Sequence, residues 1–468
     1  MNTNAKLVAV AAVIIIVASA GFYAISNGHG DDSDAASKMG CLWIYGNVNG
    51  DDRLDLGDVD LLEKIVSGKE EQRYFSIYDG YSATGASSTV SFADANGDGK
   101  VDSADIAHLK ALISYQEKYS KAVEDGTLDS FKDEITVFYN NCDNKMSSVH
   151  LPVRSLISMY FSNSEVVRLL GATDRVIGTD DTTLAKPTLL PEFKGIPRVT
   201  DRKSPVSEDI LAAFQERGAS SGWAYFTGSA STYGSYLEDQ VGGYVDVIRL
   251  SAWEDNNIME GTLTIGWMLG CTAKAYEYID WCNHYIDMVS DRLKGVADGD
   301  KATVIVPKGR LSSLNDSNGP GSGQFEISEL AGAHNIASKL TAVSSEYPSF
   351  DDEFLFAENP TFLIYSGYAG FEKTPAALKD MYDVVEKRYA QLGAVKDGKL
   401  GFIANEIFTG PSDIVSMMCL ATWFYPDLFK DIDGLTVFHD YIDRFCPGLA
   451  DYDLDSNIGN FVIAPGSA

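Results

Sequence analysis

The most regular apolar pattern in the chain runs from Gly261 to Lys294. Met268, Ala275, Ile279, Cys282, Ile286, Val289 and Leu293 recur at spacings of 7, 4, 3, 4, 3 and 4, the period of one helix face. No proline interrupts the stretch, and no glycine falls between Gly270 and Gly295. The pattern predicts one long helix over 261–294, either a coiled-coil arm or a spacer between two compact halves. Its flanks decide between these. Upstream, 134–139, 154–158, 174–178, 222–227 and 244–249 read as strands, with helices over 164–170 and 207–214. Gly171 is a stop signal, and Ser207 before Glu208 and Asp209 is a start signal of the right dipole sense. Downstream, 302–306 and 361–365 read as strands, and helices are expected from 325, over 375–389 and over 412–423. Strands alternating with helices make parallel α/β units. Two α/β lobes, 134–260 and 295–468, therefore flank the helix, and the spacer reading prevails over the coiled coil.

The N-terminal part is of another kind. Residues 7–25 carry no charge, near the minimum for a membrane span, while Ala18-Ser19-Ala20 fits an export-signal cleavage site. Residues 1–26 are read as a signal peptide or a transmembrane anchor, with 27–40 as a polar tether. Either way the remainder lies outside the cytoplasm, secreted or anchored to the membrane through its N-terminus.

Two related segments follow. Asn47, Asn49, Asp51, Asp55 and Asp58 place oxygen side chains at loop positions 1, 3, 5, 9 and 12. Asp94, Asn96, Asp98, Asp102 and Asp105 repeat that spacing. Calcium takes six to eight oxygen ligands, and a tight loop of this spacing converges them. Each loop leads into an apolar helix, over 59–66 and 106–113. Two calcium sites are expected. Asp occupies position 12 where an EF-hand has Glu, and Asp52 stands at position 6 of the first loop where glycine is usual, so strain or weaker affinity is expected there. The pair, over 41–120, resembles the type I dockerin duplicate. That resemblance implies calcium binding and a cohesin-like partner on the outward helix faces, although residues 74–91 separate the repeats by more than the family's usual spacing.

The body from about 135 to 447 resembles the class III substrate-binding proteins of ABC importers. The carrying stretches are 151–154 through 169–178 (LLGATDRVIG), 328–337 (SELAGAHNIA), 358–364 (ENPTFLI) and 425–429 (YPDLF), in that order. The resemblance implies two Rossmann-like α/β lobes joined by one long helix. A metal chelate or corrinoid (ferric siderophore, haem or cobalamin) would be held between the lobes for delivery to an ABC permease. It also implies permease-docking acids at Glu208 and Glu326.

A cleft between lobes is the default ligand site. Aromatic residues near strand ends suit a flat or aromatic ligand: Tyr160, Trp223, Tyr225 and Trp253 in the first lobe, Tyr365, Tyr368 and Phe371 in the second. Arg310, between a strand and a Gly/Ser-rich loop, suits a ligand carboxylate. Packing in the core is the competing reading for each ring, and solvated surface for the arginine.

Composition narrows the rest. The 468-residue chain has a formal net charge of −30, which repels nucleic acid and anionic lipid. Its six cysteines form no CxxC pair; a Cys419–Cys446 disulfide and isolated buried thiols both remain open. No HExxH, GxSxG or Walker motif is present, so the chain is read as a non-enzyme. Two alternatives stand beside the receptor reading: a calcium-dependent surface interaction protein, and a hydrolase of a dockerin-containing assembly.

Overall fold

The computed structural model describes residues 40–78, 87–218, 221–251, 257–340 and 347–467. The N-terminal apolar run and Trp253 lie outside these residues. Among the described residues no helix is long and apolar enough to cross a membrane.

The calcium-loop module comprises α1 (Leu56–Val66) and α2 (Ser103–Glu124), with an antiparallel hairpin, β1 (Phe75–Tyr78) and β2 (Ser87–Val90), between the repeats. Asp55 and Asp102 cap the two helices through the same box, in which Asp58 and Asp105 return to the cap N–H. The helices differ in length, 11 against 22 residues. The extra turns of α2 bury Tyr115, Tyr119 and Ala122.

The first lobe opens with an antiparallel ribbon, β3 (Ile135–Asn140) and β4 (Met146–Leu151). The four-stranded parallel sheet is ordered β6-β5-β7-β8, with β5 Ser155–Ser158, β6 Val176–Gly178, β7 Trp223–Thr227 and β8 Asp246–Arg249. Its main helices are α3 (Phe161–Leu169) and α4 (Ser207–Arg217).

The stretch expected as one helix is two, α5 (Ile258–Met268) and α6 (Thr272–Leu293). They part at Gly270, whose φ is +66°. A Cβ there would sit 3.0 Å from Val123 Cγ2 and 3.1 Å from the Tyr119 ring, so glycine is required by both conformation and close approach. The break lets the chain turn while α6 alone keeps the predicted stripe. Ala275, Ile279, Cys282 and Val289 on it are buried.

The second lobe is built on β9 (Thr303–Ile305), β10 (Lys308–Gly309), β11 (His334–Asn335), β12 (Phe362–Gly367), β13 (Leu400–Ala404) and β14 (Val462–Ile463). The order is β11-β9-β12-β13-β14, with β10 beside β12. All pairings are parallel except β13 with β14. Every residue of β12 and β13 is buried, as a parallel sheet covered on both faces requires. Around it lie α7 (Gly323–Leu330), α8 (Asp352–Glu358), α9 (Ala376–Arg388), α10 (Asp413–Phe424) and α11 (Gly434–Phe445). All six cysteines are free thiols, five of them buried, so the Cys419–Cys446 pairing does not form.

One apolar cluster runs through the whole molecule, joining Trp43 and Tyr119 of the module to Val137, Met268, Ile279 and Phe445. Ile279 is fully buried within it. Ile279→Ala should cost about 2–5 kcal/mol, lowering the denaturant midpoint of the whole chain in equilibrium unfolding.

Candidate functional site

The two loops repeat one hydrogen-bond scheme. Asp58 Oδ1 accepts from Asn49 N (3.2 Å) and Asp105 Oδ1 from Asn96 N (3.1 Å). Asp51 N and Asp98 N donate to Asn49 Oδ1 and Asn96 Oδ1 at 3.0 and 2.9 Å. Arg53 N and Lys100 N donate to Asp51 Oδ1 and Asp98 Oδ1 at 2.8 and 2.9 Å. The glycines at positive φ common to both loops are Gly50 (+75°) and Gly97 (+70°), at position 4. Asp52 is not among the described non-glycine residues at positive φ, so the strain expected at position 6 of the first loop is absent.

The donor set fits a hard cation. Asn47 is fully buried; its amide N–H groups donate to Leu42 O and Asp51 O at 2.8 Å, while its Oδ1 is buried without a partner. Burial pushes Asp58 up to about 7, against the backbone N–H groups that hold it, and Asp51 and Asp55 add to the rise. Burial likewise raises Asp105, with Asp94 and Asp98 adding to it. Among the described residues no three His, Cys, Asp or Glu side chains already converge on one point; the carboxylates are turned onto backbone N–H groups instead. Side-chain oxygens at positions 1, 3, 5, 9 and 12 are the ones that would hold the ion, those at position 9 also capping the helices through Gly57 N and Ala104 N.

The second site lies where the C-terminal ends of the two parallel sheets face each other. After β5 comes Tyr160, at φ +75°, and then α3; after β13 comes the short helix Asn405–Phe408. These ends meet directly. Lys186 Nζ lies 2.5 Å from Glu406 Oε1, and Glu406 Oε2 accepts from Phe371 N at 2.6 Å. Glu372 accepts from Thr188 N (2.7 Å), Thr188 Oγ1 (2.9 Å) and Leu189 N (3.1 Å), and Glu192 accepts from Gly448 N (2.8 Å). Residues 186–192 of the first lobe thus form a strap gripping the second. Beneath it, Glu165 is buried 3.5 Å from Arg168 Nη2.

Cations and rings gather along the rim of this seam. On the first lobe the Arg202 guanidinium stands 4.5 Å from the Tyr160 ring centre and 5.8 Å from that of Tyr233. On the second, Arg310 Nε donates to the Tyr368 hydroxyl at 2.9 Å, and Lys308 lies over the Tyr347 ring. Tyr368 is 52% exposed.

Of the residues expected from sequence, Tyr160, Arg310 and Tyr368 stand at this rim. Tyr225 and Tyr365 are fully buried instead. Tyr365 stacks on Phe402 with its hydroxyl on Leu314 O at 3.0 Å, and Tyr225 belongs to the core under α4. Trp223, at the starting end of β7, stacks on Phe214 at 5.1 Å, and Phe371 packs edge-on to Phe461. Trp253 lies outside the described residues. Glu208 is exposed in the first turn of α4, whereas Glu326 is half-buried in α7, its carboxyl accepting from Gly321 N at 3.4 Å and pushed by burial up to about 7. Arg202, Lys186 and Lys308 were not anticipated; Arg202 sits in a polar run, and Lys186 and Lys308 are single cations between apolar, proline or glycine neighbours, with no local signature. A cavity of about 430 Å³ opens elsewhere, between His150, Arg154 and Gly222 at the starting ends of the first-lobe strands.

Burial pushes Glu165 up to about 8, despite Arg168, and Glu406 adds to the rise. A carboxyl raised on folding contributes stability that is full below about pH 4 and lost as pH rises through 8. At saturating calcium, Glu165→Gln should therefore flatten the decline of Tm between pH 5 and 8, measured by calorimetry across that range.

Residues 45–114 match the Dockerin type I domain. No curated protein matches the chain in sequence. Among solved structures, the TroA-like periplasmic binding protein FepB from Veillonella parvula superposes with a TM-score of 0.54 at 17% identity, covering 66% of this chain and 96% of that one. A periplasmic solute binding protein, also from Veillonella parvula, gives 0.53 at 12% identity, over 70% and 97%. The molybdate periplasmic binding protein MolA of Haemophilus influenzae gives 0.51 at 16% identity, over 66% and 97%. The chain thus joins a dockerin type I module to a body with the two-lobed fold of the TroA-like, class III periplasmic binding proteins.

Proposed function

We propose that this chain is an extracytoplasmic solute-binding protein. It takes an anionic metal chelate, or a corrinoid or haem bearing carboxylates, at the rim between its lobes and passes it to an ABC permease. What supports this reading is an Arg–Tyr set just past a strand end in each lobe, Arg202 with Tyr160 after β5 and Arg310 with Tyr368 after β12. Cations concentrated there, on a chain of net charge −30, make the rim a local attractor for an anion. The rings offer stacking to a flat or catecholate ligand. A neighbour of the same fold, described as a molybdate periplasmic binding protein, supports a solute-receptor role for the body. Residues 1–26 serve for export or anchoring, the two loops hold calcium, and Glu208 is the exposed candidate for permease docking. Glu326 presents little of its carboxylate to a partner.

A second, compatible reading concerns the module. The outward faces of α1 and α2 adjoin, with Lys110 Nζ 2.8 Å from Glu63 Oε1, and Leu56 at the start of α1 is 68% exposed. A cohesin-like partner would dock on this face. The body would then serve as a calcium-dependent surface interaction protein as well as a receptor.

The test is absorbance and mass spectrometry of ligand released from natively purified protein, followed by titration of the identified compound. Arg310→Ala and Arg202→Ala should each weaken its binding about tenfold or more, the range of one charge-assisted hydrogen bond. Unchanged affinity in both variants would remove the rim from the site.

A further inference from the structure

We infer that the calcium module is a built-in brace of the receptor body, so that calcium in its loops is felt at the α5–α6 break between the lobes. This rests on the calcium reading of the loops. Three sets of contacts carry it.

First, the strand leading into the first loop belongs to the body. Ile44 bridges to Tyr139 of β3, Tyr45 N donates to Phe138 O at 2.9 Å, and Asn140 N donates to Trp43 O at 3.0 Å. Trp43 N also donates to Thr264 Oγ1 of α5 at 3.1 Å. Asn47, the first ligand position, holds Leu42 O of this strand and Asp51 O of the loop with one amide. Ordering the loop therefore orders the strand's attachment.

Second, each loop touches the body itself. The Arg53 guanidinium, at position 7 of the first loop, stands 4.7 Å from the Tyr276 ring centre on α6. Gly97 of the second loop lies flat under Phe138 of β3, where a Cβ would be 2.5 Å from the ring.

Third, α2 supplies donors to carbonyls at the break, one of which, Trp267 O, also accepts from Gly270 N at 3.1 Å. Gln116 Nε2 donates to Trp267 O at 3.1 Å and the Tyr119 hydroxyl to Met268 O at 3.2 Å. Ser120 Oγ lies 3.3 Å from Thr272 Oγ1, at the start of α6. The N-terminus of α2 is set by Asp102 and Asp105, so the second loop fixes the helix whose far turns hold the break.

A free recognition module on a tether would leave these groups in water. Here they are shared, and a coupling between two sites is reciprocal. Calcium should protect the break, and contacts at the break should tighten calcium.

The experiment is amide hydrogen exchange on the full chain, with calcium and with chelator, beside calorimetric calcium titration. Calcium should slow exchange about tenfold or more in peptides covering 264–275 and 135–140, as well as in the loops. Gln116→Ala and Ser120→Ala, neither of them a ligand, should each weaken calcium binding several-fold. Calcium binding with protection confined to 47–58 and 94–105 would overturn the inference alone. Absence of any calcium binding would overturn it together with the calcium reading. Should a variant fail to fold, the exchange pattern of the unaltered chain decides.

Discussion

A helix that ends inside a protein leaves carbonyl groups with no partner along the chain, and each one buried without a donor costs about 1–3 kcal/mol. Met268 and Leu269 present that problem at the centre of this molecule, whereas Trp267 O already accepts from Gly270 N at 3.1 Å. Its solution draws on separate parts of the chain: Tyr119 of the module, which donates to Met268 O, and Arg175 of the first lobe, whose Nη1 donates to Leu269 O at 2.6 Å, with Gln116 as a second donor to Trp267 O. The second lobe reaches the same helix pair about two to four turns further on. Tyr278 donates to Pro411 O at 3.0 Å, and Trp281 and Tyr285 both donate to Asp440 Oδ2, at 2.7 and 3.1 Å. The arrangement of module and lobes therefore follows from how one chain break is satisfied.

The seam between the lobes obeys a similar rule with charge in place of carbonyls. Glu406 and Glu372 are each taken up by donors from the opposite lobe. Parting the lobes would return those acids to water while stripping Lys186 and the strap of their acceptors. The contacts of Lys186, Thr188 and Leu189 with these acids thus hold the two lobes against each other along the strap.

Much of the architecture was legible because its signals are local. The loops announce themselves by oxygen spacing, and parallel strands such as Phe362–Gly367 by unbroken apolar runs. The strands β4 and β13 and the helix α11 were missed. Met146–Leu151 has half of its positions polar, and Leu400–Ala404 carries a glycine within a short run. Gly434 opens α11, where a cap at Asp433 accepting from Thr436 N at 2.8 Å marks the start more clearly than the apolar period does. The long helix was read without its break because Gly270 alone gives no hint of Tyr119 lying against it. Ring assignments divided by position on the strand. Tyr160 and Tyr368, just past strand ends, reach the rim; Tyr225 and Tyr365, inside strands, pack in cores. Arg202 was invisible because its partner Tyr160 is distant in sequence and joined only by the fold.

The two loop–helix repeats share a hydrogen-bond scheme, yet only the second helix runs to 22 residues and buries Tyr115 and Tyr119 against the body. A segment that folds alone can be moved by recombination from one chain to another. This one cannot be cut out near residue 120 without baring Leu112, Tyr115 and Tyr119 on one side and Gly270 with its open carbonyls on the other. The boundary between module and body thus runs through a shared core, so neither side closes its own surface without the other.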